Sequence, residues 1–203
     1  MRKQSQLSAR PVVYLFAGPN GSGKSSVFAA GRSELPDVAV FVNADELNRL
    51  IRQLDPSLTP DESNLRAAQT ADVMRYALLD QRVTFATESV LSDVGRWTRF
   101  FDAVQDAGFE LALVFVTTCD PEINVARVAD RVAKGGHNVP PDKVRKRYKR
   151  TMERTLPIVF KRATYAQLFD NSATEPRLVI EKEAGRVFVA SDAPDWAKKL
   201  ATQ

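Results

Sequence analysis

Three glycines, a lysine and a serine stand at a spacing that suits phosphate binding in the segment LFAGPNGSGKSS, from Leu15 to Ser26. In the pattern G-x-x-x-x-G-K-S, backbone N–H groups surround phosphates, the lysine reaches the outer ones and the hydroxyl binds Mg²⁺. A glycine-rich turn without a ligand could have the same sequence pattern. A strand-length apolar run precedes the segment and a helix can begin after it, however, and this context favours a phosphate-binding loop. The segment therefore predicts nucleotide contacts from Gly18, Pro19, Asn20, Gly21, Ser22, Gly23, Lys24, Ser25 and Ser26, with Ser25 as metal ligand.

Two carboxylates follow predicted strands further along the chain. Asp45, in VNADEL, lies 21 residues beyond Lys24. A carboxylate there can face the γ-phosphate and accept a proton from an attacking hydroxyl, as a kinase requires. Alternatively, Asn43 or Asp45 only caps the next helix. Glu88, in ATESVLS, is a candidate for holding an acceptor hydroxyl or a magnesium-bound water, or else a solvated loop residue.

The positive charge of the chain is concentrated in one segment. Residues 127–162 contain twelve Lys and Arg against three Asp and Glu, whereas the whole chain carries +4. This segment can be a clamp on nucleotide phosphates, a nucleic-acid surface or a solvated helix face. Because the glycine-rich loop already implies a polyphosphate ligand, the clamp is the simplest interpretation. On this interpretation, Gly135 and Gly136 form a hinge. Residues 127–155 then form a lid-like part of a single domain that spans residues 1–203.

Strand and helix signals alternate in a way that would bring these residues together. Five short strands separated by helices of crossover length predict an α/β fold with a parallel sheet and right-handed connections. The ligand then lies at the carboxyl ends of the strands. We predict strands at Val12–Ala17, Val38–Val42, Val83–Thr87, Leu111–Thr117 and Tyr165–Asp170, and a terminal hairpin of Arg177–Glu181 and Arg186–Ala190.

Helix signals fill the intervals between the strands. Thr59, Pro60 and Glu62 form a helix start with a cap, and Asp120 with Pro121 form another. We predict helices over Glu46–Leu54, from Thr59 to Asp80, from Val94 to Gly108, from Pro121 to the GGHNVPP break, over Pro141–Thr155 and over Ala193–Thr202, with Pro157 ending the basic one. After the fifth strand, Asp170–Ser172 can form an Asx turn, or Asn171 can line the nucleotide base.

The cysteine and histidine counts and several missing motifs argue against some classes of protein. A single cysteine, Cys119, excludes an internal disulfide and favours a reducing compartment, so we expect a cytoplasmic protein. No apolar run is long enough to span a membrane, and no secretion signal is visible. His137 is the only histidine and has no second His or Cys nearby for a zinc site. The acidic pair of an ATP-driven motor, the guanine-reading NKxD motif and the LSGGQ signature are all missing, so a small kinase fits better.

The order of these motifs resembles the zeta-toxin family of P-loop kinases, in its compact branch. The resembling pieces are AGPNGSGKS, NADE, ATES, RVADRVAKGGHNVP with RKRY behind it, and DNS, from Phe16 to about Ser172. The resemblance implies a sheet in the order 2-3-1-4-5 with an Arg-rich lid. It also implies transfer of a phosphate from ATP, or GTP in its place, with Mg²⁺, to a sugar hydroxyl of a nucleotide sugar of the UDP-N-acetylglucosamine type, as the toxin of a toxin–antitoxin pair.

The same resemblance implies roles for individual residues. Lys24 binds the phosphates, Asp45 is the base and Glu88 helps to hold the acceptor together with Asn43, Thr87 and Ser89. Two lid arginines stabilise the transferring phosphate. Arg131 matches best, and the second is Arg127, Arg145 or Arg147. The Gly-Gly-His lid departs from that of larger toxins, and the extra segments with which those hold the nucleotide sugar are missing.

Two other functions remain open at this level. The same chemistry can serve another nucleotide, a sugar or an antibiotic hydroxyl. Alternatively, the basic residues 127–162 bind or modify the ends of nucleic acids, although only Tyr148 and Phe160 are there to stack on bases. We expect a small-molecule substrate, an antitoxin partner, and neither a membrane nor a nucleic acid.

Overall fold

A seven-stranded sheet forms the centre of the computed structural model, which describes residues 10–25, 27, 40–136 and 138–202. The strands are β1 Val12–Ala17, β2 Phe41–Val42, β3 Phe85–Ser89, β4 Glu110–Thr117, β5 Tyr165–Asp170, β6 Arg177–Glu183 and β7 Arg186–Val189. They lie in the order β2-β3-β1-β4-β5-β6-β7. The predicted 2-3-1-4-5 order is confirmed, and β1 to β5 pair in parallel.

The helices follow the predicted alternation. They are α1 Ala44–Leu54, α2 Pro60–Asp80, α3 Val94–Asp106, α4 Pro121–Ala133, α5 Pro141–Arg150, α6 Leu156–Arg162 and α7 Asp195–Ala201, with a π-helical turn at Thr151–Thr155 between α5 and α6. Lys24, Ser25 and Val27 are also helical. The rest of the helix predicted after the glycine-rich loop, the first part of the predicted strand Val38–Val42, Ser26 and His137 lie outside the described residues. Among the described helices, none is both long and apolar enough to cross a bilayer.

The predicted starts of two helices are confirmed. The Thr59 hydroxyl accepts from the N–H of Glu62, and the Glu62 carboxylate accepts from the N–H of Thr59, which completes a capping box. Asp120 caps α4 through the N–H of Glu122, with Pro121 in the first turn. The Asp120 cap lies directly after the carboxyl end of β4, whereas the Thr59 cap lies between α1 and α2.

The prediction was wrong at the start of the third strand and at the end of the basic helix. The third strand begins two residues later than Val83, at Phe85. The predicted terminal hairpin is confirmed, since β6 and β7 pair antiparallel, and β6 also pairs antiparallel with β5, so that the sheet has seven strands rather than five. The basic helix does not end at Pro157. Proline has no N–H to donate, and the helix widens ahead of it, where the N–H of Leu156 donates to the carbonyl of Thr151.

The core lies on both faces of the parallel strands. All six residues of β1 are buried, as expected of a central strand covered on two sides. One face packs against α3, whose Trp97, Phe100, Phe101 and Val104 are buried, and against α6. This central position of β1 places the glycine-rich loop, which follows Ala17, in the middle of the carboxyl edge.

Candidate functional site

The glycine-rich loop follows β1 directly and has the backbone that its glycines permit. Gly21 and Gly23 have φ values of +76° and +86°, which side chains other than glycine rarely adopt. A Cβ on Gly21 would overlap the carbonyl oxygen of Asn124, and one on Gly23 would overlap the side-chain amide of Asn171. The glycines are therefore required both for the turn and for the close approach of two neighbouring elements.

Two buried asparagines hold the loop in place. The Asn171 amide donates to the carbonyl of Ser22 at 2.8 Å, and the Asn124 amide donates to the carbonyl of Asn20 at 2.7 Å. The Asn124 side-chain oxygen accepts in turn from the Thr118 hydroxyl. Asn171 thus holds the glycine-rich loop through a hydrogen bond. The sequence had left open whether Asn171 belongs to an Asx turn or lines the nucleotide base. Asn124 was missed by the sequence analysis, because a lone asparagine within a helix gives no local signal.

Lys24 lies at the point where the loop meets β3. Its ammonium donates to the carbonyls of Gly18 at 2.9 Å and Pro19 at 3.2 Å, and lies 4.0 Å from a carboxylate oxygen of Glu88. Burial lowers the pKa of Lys24, while the charge of Glu88 acts against that shift. A desolvated cation at this position attracts phosphate oxygens more strongly than an exposed one would.

Glu88 is held at the end of β3. The Asn43 side-chain amide donates to its carboxylate at 3.1 Å. Burial raises the pKa of Glu88, the charge of Lys24 opposes this shift, and the nearby Asp45 adds to it. Glu88 is therefore a partly buried carboxylate with a fixed orientation rather than a solvated loop residue.

Asn43, not Asp45, caps α1. The Asn43 side-chain oxygen accepts from the N–H of Asp45 at 2.8 Å. The Asp45 side chain lies in the first turn of α1, exposed and lining the same cavity as Lys24 and Glu88. The cap is thus made by Asn43, as one of the two interpretations of the sequence had it, and the Asp45 carboxylate is not used for it.

The four candidate arginines fall into two pairs. Arg131 and Arg147 line the cavity, and Arg147 donates to the side-chain oxygen of Asn20 at 3.1 Å. Burial lowers the pKa of Arg147, and the charge of Asp45 opposes this shift. The other two guanidiniums are occupied elsewhere. Arg127 donates to the carbonyls of Asn171 and Ala173, and Arg145 forms a two-bond ion pair with Glu122 at 2.7 and 2.8 Å.

This division yields a prediction about the arginines. Changing Arg131 or Arg147 to lysine keeps the charge but removes the planar fork that spans phosphate oxygens, so we expect turnover to fall by on the order of 10²-fold or more for each. Arg145→Lys is the matched control and should stay within a few-fold of the wild type. Steady-state kinetics with saturating nucleotide measures this. A large loss in Arg145→Lys with normal turnover in Arg147→Lys would reverse the assignment.

Three further residues predicted to belong to the site, Ser89, Thr87 and Ser25, differ in whether they line the cavity. Ser89 lines the cavity, and its hydroxyl accepts from the N–H of Leu91. Thr87 is fully buried outside the cavity lining, where its hydroxyl donates to the carbonyl of Val42 and accepts from Arg75. Ser25 is exposed and lines the cavity. No group of three or more His, Cys, Asp or Glu that suits a metal ion occurs in the described part of the chain. A divalent cation here would depend on Ser25 and on phosphate oxygens.

The cavity, of about 760 Å³, continues beyond Glu88 into a second region. We call this region the acceptor end. It is lined by Asn64, Ala68, Arg75, Leu91, Arg96 and Trp97. These residues come from α2, from the loop after β3 and from α3, and the sequence analysis assigned a role to none of them. The cavity thus extends from the glycine-rich loop to a second group of lining residues on α2, α3 and the loop after β3.

The chain is similar to known proteins in sequence and in fold. Residues 1–174 match the model of the zeta toxin family. An uncharacterised protein of Haemophilus influenzae is 29% identical over 133 residues, which covers 66% of this chain and 89% of that protein.

Three solved structures share the fold at low sequence identity. A chain of the AvrRxo1-ORF1:AvrRxo1-ORF2 complex, solved with sulphate ions and with ATP, aligns with TM-scores of 0.74 and 0.73 at 14% identity, over 95% and 96% of this chain. This chain spans 64% of the length of that one. A structure from the PezAT chromosomal toxin–antitoxin system of Streptococcus pneumoniae aligns with a TM-score of 0.58 at 15% identity, over 86% of this chain and 74% of the other.

The glycine-rich loop, the cavity at the carboxyl edge of the sheet and the match over most of the chain agree with one another. The chain belongs to the zeta toxin family.

Proposed function

We propose that the protein transfers the γ-phosphate of ATP, with Mg²⁺, to a hydroxyl on the sugar of a nucleotide sugar. One observation supports this most strongly. Lys24, Asp45, Glu88, Arg131 and Arg147 line a single cavity that extends from the glycine-rich loop to the acceptor end. This set provides a phosphate ligand, a proton acceptor and two guanidiniums around the space in which the transfer would occur.

The proposed reaction is a direct displacement. The acceptor oxygen forms a bond to the γ-phosphorus, the bond from that phosphorus to the bridging oxygen breaks, and ADP leaves. The hydroxyl proton passes to the Asp45 carboxylate. Lys24, Arg131 and Arg147 hold the oxygens whose negative charge spreads during transfer. A magnesium ion bound through Ser25 would neutralise charge on the β- and γ-phosphates.

Glu88 and the lid have supporting roles in the proposal. Fixed by Asn43, Glu88 accepts a hydrogen bond from the acceptor hydroxyl or from a water on the metal. The segment from Arg127 to Thr155 contains Arg131 and Arg147, which the proposal assigns to the transferred phosphate. It also contains Gly135, whose φ is +82°. We assign it the role of a lid that brings Arg131 towards the nucleotide and excludes water.

A screen for the acceptor tests this function. Formation of ADP from ATP, or of GDP from GTP, is measured with and without Mg²⁺, in the presence of a panel of nucleotide sugars, free sugars, nucleosides and oligonucleotides with a free end. We expect ADP formation that depends on Mg²⁺ and rises at least about 10-fold with a nucleotide sugar. Stimulation by oligonucleotides alone would instead support a role in modifying nucleic-acid ends, and release of ADP without any acceptor would indicate a hydrolase.

We extend the proposal to a partner protein that restrains the enzyme. It rests on the family and on the toxin–antitoxin system to which one of the similar structures belongs. Bacteria that make the active enzyme should then stop growing unless the partner is made as well. Normal growth with active enzyme accumulating in the cells would remove the toxin part of the proposal and leave the kinase part intact.

A further inference from the structure

The loop after β3, residues 90–93, contains one residue with a strained backbone. Leu91 is fully buried and has a φ of +58°, in the left-handed region that leucine rarely adopts. Such a backbone costs free energy and persists only where the surrounding structure holds it. Ser89, Val90 and Leu91 line the cavity directly after Glu88, so the strained residue lies in the wall beside the proposed position of the acceptor hydroxyl.

Two hydroxyls hold the peptide unit that places Leu91 in this conformation. The carbonyl of Val90 accepts from the Thr151 hydroxyl at 2.8 Å, and the N–H of Leu91 donates to the Ser89 hydroxyl at 3.0 Å. Both polar groups of the peptide between Val90 and Leu91 are therefore bound. A flip of this planar unit changes ψ of Val90 and φ of Leu91 together, so it is the motion that would relieve the strain, and the two hydrogen bonds oppose it.

Thr151 directly follows α5, the helix that carries Arg147. Its N–H donates to the carbonyl of Arg147, one turn back, and it begins the π-helical turn ahead of α6. The same helix contacts Asn20 of the glycine-rich loop through Arg147, and the carbonyl of Thr118 after β4 through the Tyr148 hydroxyl at 2.6 Å. This helix therefore joins the loops that follow β1, β3 and β4, and π-helical turns within helices are frequent at functional sites.

The loop after β3 has two further points of attachment. The N–H of Gly18 donates to the carbonyl of Ser89 at 3.2 Å, which ties the start of the loop to the glycine-rich loop. The exposed Arg150 donates to the carbonyl of Ser92 at 3.4 Å, a long bond that water weakens. Loss of the Thr151 hydroxyl would therefore release one peptide unit and leave the ends of the loop attached.

We propose that Thr151 is a positioning residue for phosphoryl transfer, whose hydroxyl keeps the peptide between Val90 and Leu91 in its strained orientation and so fixes the cavity wall beside Glu88. This inference rests on the proposed kinase function and adds a residue that lies outside the cavity lining. Transfer is sensitive to small displacements of the reacting atoms, so a flipped peptide in this wall slows transfer more than it weakens nucleotide binding. Because Arg147 lies on the adjoining helix, the same bond ties that arginine to the wall that carries Glu88.

Hydrogen exchange of the Leu91 amide, followed by NMR, tests the hold on the peptide without requiring turnover. Thr151→Val keeps nearly the same shape but has no donor, and we expect the Leu91 amide to exchange at least about 10-fold faster than in the wild type. Thr155→Val is the matched control. Thr155 lies in the same π-helical turn and is equally buried, and its hydroxyl has no hydrogen-bond partner in the part of the chain that the structure describes. Leu91 exchange in this control should match the wild type.

A pair of smaller substitutions covers the case in which Thr151→Val unfolds. Thr151→Ser and Thr151→Ala both lose the methyl group, but only serine keeps the donor. Leu91 exchange and turnover should stay near the wild type in Thr151→Ser and change in Thr151→Ala as in Thr151→Val. Equal Leu91 exchange in the folded serine and alanine variants overturns the inference.

Kinetics with the acceptor that best stimulates ADP formation tests the positioning role. Thr151→Val should lower kcat by about 10-fold with KM for ATP within two-fold, whereas Thr151→Ser and Thr155→Val should turn over normally. A purely structural role would lower the melting temperature and leave kcat of the folded enzyme unchanged, so faster Leu91 exchange with wild-type kcat overturns the proposal. If Leu91 exchanges faster in Thr151→Val but the wild type phosphorylates no acceptor in the panel, the kinase function fails while the hold of Thr151 on the peptide stands.

Discussion

Replacement of Lys24 by alanine should abolish phosphoryl transfer, with a loss of on the order of 10³-fold or more. Lys24 is the buried cation at the junction of the glycine-rich loop and β3, and no other described lysine lies beside Glu88. Its ammonium is therefore positioned to bind the γ-phosphate oxygens as negative charge develops on them during transfer. The fold should survive, because the described hydrogen bonds of Lys24 go only to the carbonyls of Gly18 and Pro19.

The measurement combines activity with thermal unfolding. Lys146→Ala serves as the control, since this lysine is exposed on α5 and lies outside the cavity lining. We expect wild-type turnover for the control and a melting temperature within a few degrees of the wild type for both variants. Transfer at the wild-type rate in folded Lys24→Ala would show that the glycine-rich loop does not hold the transferred phosphate.

Replacement of Asp45 by asparagine should reduce turnover by about 10²- to 10⁴-fold, which is the usual contribution of a general base. The change keeps the shape of the side chain and removes only its ability to take up the proton. It leaves the cap of α1 intact, because that cap is made by Asn43. Nucleotide affinity should therefore stay within a few-fold, and the loss should appear in kcat.

Glu46 offers a matched control for this prediction. It is the next residue of the same helical turn, it is exposed, and it lies outside the cavity lining. Glu46→Gln removes the same charge from the same helix N-terminus, so it reproduces any effect on helix stability or on the local field. Similar turnover in the two variants would mean that Asp45 acts only through its charge and is not the base.

The sequence predicted those parts of the site that local spacing determines. The glycine-rich loop and the helix starts at Thr59 and Asp120 depend on neighbouring residues and were predicted correctly, whereas the order of the five parallel strands was predicted only through the family resemblance and is confirmed. The start of β3 was not, because Val83 and Thr84 have strand character although pairing begins only at Phe85. Pairing of β6 with β5 likewise depends on a contact distant in sequence, which the composition of a hairpin does not reveal.

The choice among the basic residues of α5 needed the tertiary structure. Arg145 and Arg147 are two positions apart, so they point to nearly opposite sides of the helix, and basic residues surround it on all sides. Only the packing of α5 against α4 decides that Arg145 meets Glu122 while Arg147 turns towards Asn20. Arg75 and Arg96 were missed for a related reason, since isolated arginines in two amphipathic helices give no sign that they share Asp72.

The identity of the product tests the central claim most directly. The enzyme is incubated with ATP labelled with ¹⁸O in the γ-phosphate, Mg²⁺ and the nucleotide sugar that best stimulates ADP formation, and the products are analysed by mass spectrometry and phosphorus NMR. We predict that the intact labelled phosphoryl group appears on a sugar hydroxyl in an amount equal to the ADP formed, and that Asp45→Asn makes far less of this product. Label recovered only as inorganic phosphate, with an unmodified nucleotide sugar, would contradict the account.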